Sequence, residues 1–174
     1  MRRIKKGDLP LILLWSNDEE AFGPYLTPER YTPSNLDEQF CGNAFWNRHD
    51  KTFLIEKRDP VRPIGTIHYW LRQDRGDTAV MSIKIADTSE RGKGYGTEAQ
   101  KYLIIHLFEQ VGVKMIEMYT DIDNTPQQRC LRKLGFSIHR SQPYDDRNVK
   151  RTGNLFLLSQ DDYRKISIYR FHYE

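Results

Sequence analysis

Cysteine is scarce: two among 174 residues, Cys41 and Cys130, with no C-x-x-C pair. They could be joined once, but two ordinary thiols in a reduced, cytoplasmic chain are expected. Long apolar runs are missing as well. No stretch of about 18 apolar residues occurs, so no spanning helix and no membrane partner are expected. The apolar stretch from Leu9 to Trp15 contains Pro10, follows a charged start and lacks a small-residue cleavage site, so it does not read as a signal peptide. An excess of one charge is missing too: 27 Lys and Arg face 24 Asp and Glu, a net +3. The five histidines are scattered, and no H-x-x-x-H pair with a nearby carboxylate suggests a metal site. Repeats, low-complexity tracts and Gly/Ser linkers are absent, so residues 1–174 read as one domain. With 38% hydrophobic and 12% aromatic residues, that domain can bury one core.

The patterning that is present alternates between helix and strand. Asp8 can cap a helix to about Trp15, with Pro10 tolerated in its first turn. Residues 23–33, with Gly23, Pro24, Pro28 and Pro33, read as a loop. Ser34 with Asp37 resembles a capping box opening a helix to about Asn47. Lys51–Lys57 and Ile64–Leu71 read as strands. In Ala79–Ala86, Met81, Ile83 and Ile85 alternate with Ser82 and Lys84, the period of a half-buried strand. Ala99, Leu103, Leu107 and Val111 form one stripe of a helix from about Gly94 to Gln110. Lys114–Asp121 is a strand, Thr125–Leu134 a helix stopped by Gly135, and Phe136–Arg140 and Asn154–Ser159 are two more strands. One β-α-β crossover among antiparallel-looking strands gives an α+β fold: a mixed, mostly antiparallel sheet of six to seven strands flanked by about four helices.

Chemistry concentrates at Arg91-Gly92-Lys93-Gly94-Tyr95-Gly96-Thr97, between a strand and the long helix. Three glycines leave backbone N–H groups unshielded, and the helix start adds free N–H groups and a partial positive charge. Together they form an anion site suited to a pyrophosphate, with Arg91 and Lys93 beside it. A P-loop is rejected, because the Gly-Lys here continues as Gly94 rather than Ser or Thr. Gly94-Tyr95-Gly96-Thr97-Glu98-Ala99 fits a dinucleotide fingerprint formally, but the loop is long and no second half of a doubly wound sheet follows.

Arg91-x-x-Gly94-x-Gly96 resembles motif A of the GNAT N-acetyltransferases. Asn124, followed eleven residues later by Gly135-Phe136, is similar to that family's Asn…Lys-x-Gly-Phe segment. Asp8-Leu9-Pro10 and Trp15-Ser16-Asn17-Asp18 resemble the opening helix of its RimJ/RimL-type branch. Met118-Tyr119-Thr120-Asp121, Asn124 and Arg129-Cys130-x-x-Lys133-x-Gly135-Phe136 are similar to the aminoglycoside 6′-N-acetyltransferases. The resemblance covers nearly the whole chain. It implies a GNAT fold and transfer of acetyl from acetyl-CoA to a primary amine by direct attack. The acceptor would be a small cationic molecule, such as an aminoglycoside or polyamine, or a protein N-terminus, and a homodimer is compatible with it.

The resemblance also implies a site. Gly92, Gly94 and Gly96 with Arg91, Lys93, Tyr95 and Thr97 would take the pyrophosphate. Ile83, Ile85 and Ala86 would offer an open strand edge to the pantetheine arm. Asn124 would bond that arm, and Arg129 and Lys133 would meet the 3′-phosphate. The usual general acid and base do not carry over: the Tyr position is Leu131, the RimJ/RimL-type Glu position is Met81 and the Ser position is Gln127. Asp121, Glu117 and Tyr119, on one face of the strand before Asn124, are the remaining catalytic candidates. Trp15, Asp18, Glu20, Tyr25 and His68 are expected to contact the acceptor. Two other readings remain: a CoA-binding regulatory module with little turnover, and a nucleic-acid-binding protein. The second would use the basic stretch Arg129–Arg151, where seven basic residues face two acids.

Overall fold

The computed structural model describes residues 1–172. The described strands are β1 (Arg2–Arg3), β2 (Asp50–Arg58), β3 (Val61–Leu71), β4 (Thr78–Ile85), β5 (Met115–Asp121), β6 (Ser137–Asp146) and β7 (Val149–Ser159). The α-helices are α1 (Leu9–Ser16), α2 (Glu19–Phe22), α3 (Pro33–Cys41), α4 (Tyr95–His106), α5 (Thr125–Lys133) and α6 (Gln160–Lys165). One sheet holds all seven strands in the order β1-β2-β3-β4-β5-β7-β6. Every pairing is antiparallel except β4 with β5, which α4 connects as a crossover.

Each face of the sheet carries its own core. On one side α4 and α5 lay Leu103, Ile104, Leu107, Leu131 and Leu134 onto Ile67, Tyr69, Met81, Ile116 and Phe156. On the other side Leu9, Ile12, Trp15, Phe22 and Leu36 from α1–α3 pack with Leu54 and Ala86. Alternation along β3 and β4 sorts their side chains between the two layers. Ile67, Tyr69 and Met81 go to the α4 side, leaving His68, Trp70, Ser82 and Lys84 on the α1–α3 side, where the cavity described below lies.

The caps correct three sequence boundaries. The cap of α3 is Thr32, whose Oγ1 accepts from Asn35 N at 3.1 Å, with Pro33 in the first turn. The helix ends at Cys41, well before Asn47. Helix α4 stops at His106 and passes through one π turn, Leu107–Val111, before Gly112 at φ 78° reverses the chain. The late strands are a single long hairpin, turned by Arg147 (φ 51°) and Asn148 (φ 66°) in the left-handed region that a two-residue type I′ turn requires. Beyond α5, Gly135 takes φ 91°, and a Cβ there would lie 2.1 Å from Ile166 Cδ1, so that side chain would have to shift as well. Strand β1 and helix α6 are additional elements without a signal in the periodicity.

Candidate active site

β4 and β5 pair only over Thr78–Val80 and Met115–Glu117. Past that point β4 stays with β3 and β5 stays with β7, so residues 81–85 and 118–121 line an open gap. Ala86 N donates to Ile64 O, toward β3. By strand alternation the backbone groups of Ile83 and Ile85 therefore face the gap. The first turn of α4 sits beside it: a Cβ on Gly96 would lie 3.6 Å from Ile85 Cγ1 and 3.8 Å from Ile83 Cδ1.

The first bonded amide of α4 is that of Glu98, to Gly94 O at 3.0 Å. From Gly92 through Thr97 no backbone amide has an acceptor among the described residues. Gly92 (φ 74°) and Gly94 (φ 92°) take left-handed dihedrals, with no atom within 4 Å of where their Cβ would be. A run of free amides at a helix start, in a backbone concavity, is a seat for phosphate oxygens.

The flanking basic side chains do something other than the sequence suggested. Arg91 Nε donates to Ile85 O at 2.8 Å, and Nη2 donates to Glu20 O and Ala21 O at 2.7 and 2.9 Å. Its guanidinium is spent on carbonyls, tying the loop to β4 and α2. Lys93 Nζ lies 3.0 Å from Glu90 Oε2, and Glu90 also receives Lys57 and Arg62. Lys57 first, then Lys93, hold the Glu90 carboxyl below its ordinary range. Ala86 is buried with its amide used, and the Ile85 carbonyl is taken by Arg91. That leaves both backbone groups of Ile83 and the amide of Ile85 as the open edge.

Helix α5 is fastened to this seat. Asn124 Oδ1 accepts from Gln127 N at 3.2 Å, Gln127 Nε2 donates to Gln100 Oε1 at 2.6 Å, and Gln100 Nε2 reaches Gly96 O at 3.1 Å. Cys130 Sγ is 3.1 Å from Thr97 Oγ1, and burial pushes its thiol pKa up. Arg129 and Lys133 are exposed on α5.

On the α1–α3 face of the sheet, where β4 and β5 part, lies a cavity of about 780 Å³. Trp15, Phe22, Tyr25, Tyr31, Trp70 and Tyr144 are among its walls. Five carboxylates line it (Glu29, Asp50, Asp121, Asp145 and Asp146) against two cations, Lys84 and Arg147. The β6–β7 turn closes over the loop after α2: Thr27 N donates to Asp146 Oδ2 at 2.8 Å, and Arg147 Nη1 donates to Thr27 O at 2.7 Å. Arg151 adds a bond to Pro24 O at 3.2 Å. Arg147 and Arg151 are thus turned onto acids and carbonyls around the cavity, which breaks up the basic stretch read from the sequence.

Lys84 Nζ stands 3.7 Å from the centre of the Phe22 ring and 3.7 Å from Glu29 Oε2. Burial outweighs the attraction of Glu29 and pushes its pKa down to about 8. His68 stacks on Trp70 with ring centres 5.1 Å apart, and its Nε2 is 3.3 Å from Asp50 Oδ1. Burial lowers the His68 pKa, with Asp50 opposing.

Of the residues singled out from the sequence, Tyr119, Asp121, Asn124, Trp15, Tyr25, His68 and Ile83 line the cavity. Asp121 Oδ1 accepts from Asp123 N at 2.9 Å, and its other oxygen is 3.9 Å from Arg151 Nη1. Three expectations need correcting. Glu117 is buried and bound to Arg72 Nη1 at 2.9 Å, so this carboxylate holds the closed end of the β4–β5 pair and does not line the cavity. Asp18 caps α2, accepting from Glu20 N at 2.9 Å, and neither Asp18 nor Glu20 lines the cavity. Glu29, Asp50, Trp70, Lys84 and Arg147 escaped sequence reasoning. Period two places Trp70 with His68 and Lys84 with Ser82, but nothing local brings the turn of a distant hairpin onto the loop after α2.

Residues 1–137 match the family model described as "Acetyltransferase (GNAT) domain". The chain is 26% identical over 137 residues to an N-acetyltransferase 9-like protein of Caenorhabditis briggsae, covering 70% of this chain and 66% of that protein. It therefore spans just under two thirds of that relative's length. Among solved structures, a chimera of the Vibrio cholerae spermidine N-acetyltransferase SpeG with hSSAT superimposes with a TM-score of 0.78 at 15% identity, over 95% of this chain and 98% of that one. The aminoglycoside acetyltransferase AAC(6')-Ib in complex with coenzyme A gives 0.75 at 19% identity, over 94% and 96%. Both have the same fold as this chain.

Proposed function

The chain belongs to the acetyltransferase (GNAT) domain family, and on that premise we propose that it moves the acetyl group of acetyl-CoA onto a primary amine of a cationic acceptor. The observation that carries this reading is a juxtaposition. A run of free amides, Gly92–Thr97, lies at one end of a gap between two strands, and an acid-lined cavity opens where those strands part. The amides suit a pyrophosphate, the gap suits an extended arm, and the carboxylates suit an ammonium group. Spermidine and aminoglycosides, named for the two structural relatives, are cations of this kind.

When bound, acetyl-CoA supplies an activated acyl carbon and a thiolate leaving group. The chain's own residues bind and orient. Amides 92–97 hold the phosphates, the Ile83 backbone and the Asn124 side chain align the arm, and Arg129 and Lys133 sit on the helix next to the seat. Asp121 would draw the acceptor's ammonium toward the gap, and the Tyr119 hydroxyl, in the same cavity wall, would supply the proton for the departing sulfur. Attack is direct: Cys130 is raised in pKa and bonded to Thr97 and Gln100, a poor nucleophile.

Free-thiol release tests the reading. Spermidine, kanamycin and a peptide with a free amino terminus are each offered with acetyl-CoA, and at least one gives turnover. Asp121→Asn, which removes the charge that draws the ammonium, then lowers kcat/KM by about 10²-fold while leaving acetyl-CoA affinity unchanged. Tight CoA binding with no thiol release from any amine would leave a CoA-binding module instead.

A further inference from the structure

We propose that His68, oriented by Asp50, is the group that takes the proton from the acceptor's ammonium. This rests on the acetyl-transfer reading. β4 contributes Val80, Met81, Ser82, Ile83 and Lys84 to the cavity wall, none of them a carboxylate. His68 on β3 is paired directly across from Ser82, one strand away from the gap. Behind it, on β2, Asp50 Oδ1 lies 3.3 Å from Nε2, and Trp70 holds the imidazole plane by stacking at 5.1 Å. A carboxylate at Nε2 fixes the proton there and leaves the lone pair on Nδ1. The ring is thus held in one tautomer and one orientation, beside a cavity that also holds Tyr119 and Asp121.

The charges facing His68 come from three elements: Asp50 from β2, Glu29 from the loop after α2, and Arg147 from the β6–β7 turn. Burial keeps the imidazole neutral at pH 7, the form that accepts a proton. Asp121 is engaged by Asp123 N and lies near Arg151, an arrangement suited to holding a cation.

The step balances. Nδ1 takes one proton from the ammonium, giving a neutral amine and an imidazolium. The amine nitrogen bonds to the acyl carbon and the carbon–sulfur bond breaks. The Tyr119 hydroxyl gives its proton to the thiolate and recovers the second nitrogen proton, and His68 returns its own to water.

The test is the pH profile of kcat with whichever of spermidine, kanamycin or the peptide turns over. Wild type shows an acidic limb that levels off to a plateau, and His68→Gln removes the plateau. The variant loses about 10²–10⁴-fold at pH 7, its residual rate rises tenfold per pH unit, and acetyl-CoA binds as before. Asp50→Asn keeps a bonding partner but loses the charge, so the limb moves to lower pH with a smaller loss. A purely structural Asp50 would leave the limb where it was. His68→Gln with the wild-type plateau and rate would overturn the proposal. So would a side-chain ¹⁵N spectrum of the wild-type protein at pH 7 showing the His68 proton on Nδ1 or on both nitrogens, a readout that needs no acceptor and does not depend on the variant folding. Failure of the acetyl-transfer reading is distinct: wild type itself would then release no thiol with any amine.

Discussion

Along the gap between β4 and β5 the groups proposed to face acetyl-CoA are mainly backbone, the amides of 92–97 and the edge at Ile83. Around the proposed acceptor cavity they are side chains from α1, α2, the loop after it, β2–β5 and the β6–β7 turn. The first half is specified locally. A few glycines and a helix start create it, and almost any substitution that keeps the backbone keeps the site. The second half exists only when distant segments meet. A scaffold divided in this way holds its cosubstrate constant while its acceptor varies.

The division can be broken first at the seat. Gly94→Asp places a side chain at φ 92° and a negative charge among the free amides. Acetyl-CoA affinity should fall by about 2–4 kcal/mol, read by calorimetric titration, with the fold intact by circular dichroism. An unchanged affinity would remove this loop from the site.

Lys84 sharpens the other half. Its pKa falls from about 10.5 in the unfolded chain to about 8 in the fold. Between those values the unfolded state binds more protons, so stability should rise with pH across that window and lack this contribution below pH 8. Lys84→Met should raise stability at pH 7 by about 2 kcal/mol and abolish the rise. Thermal melts at several pH values check both, and a destabilised variant with the slope intact would contradict the assignment.

Arg91 crosses the divide, because its guanidinium joins the loop to the α2 carbonyls. Arg91→Ala should cost about 1–2 kcal/mol of stability and weaken both acetyl-CoA and acceptor binding. An effect on acetyl-CoA alone would mean that it is a phosphate ligand after all. The smallest expected effect is at the hairpin turn. Arg147→Ala loosens the closure over Thr27 and should raise the acceptor KM about 3-fold, near the 0.5–1 kcal/mol of an exposed pair, with acetyl-CoA binding unmoved.

Legibility in the sequence follows the same line. Glycines with special dihedrals, the Asn124 cap and the period-two strands are local signals, and they placed the β-α-β crossover and the loop within it. The helix begins at the Thr32 cap, before Ser34, and ends at Cys41 rather than Asn47 because the C-cap at Gly42 and the left-handed Asn43 (φ 58°) turn the chain out of the helix. The hairpin was truncated because Ser141–Arg151 is polar on both faces, and its long strands are held by register and by the Arg147-Asn148 turn. Asp18 and Glu20 are expected in the site by resemblance, yet Asp18 caps α2 locally. Glu117 shares a strand face with Tyr119 and Asp121, and its partner Arg72, 45 residues away, is visible only in three dimensions. Asp50 and His68 meet through the β2–β3 register, which periodicity does not fix.

Amide spectra of the ¹⁵N-labelled protein, titrated with acetyl-CoA, test the central claim most directly. Saturable shifts should be largest at Gly92 through Thr97, continue to Ile83 and Asn124, and fade toward the amides of Asp50 and Asp146 in the acceptor cavity. Saturation without movement at residues 92–97, or no saturable shift at all, would contradict the assignment of this loop as the cofactor seat.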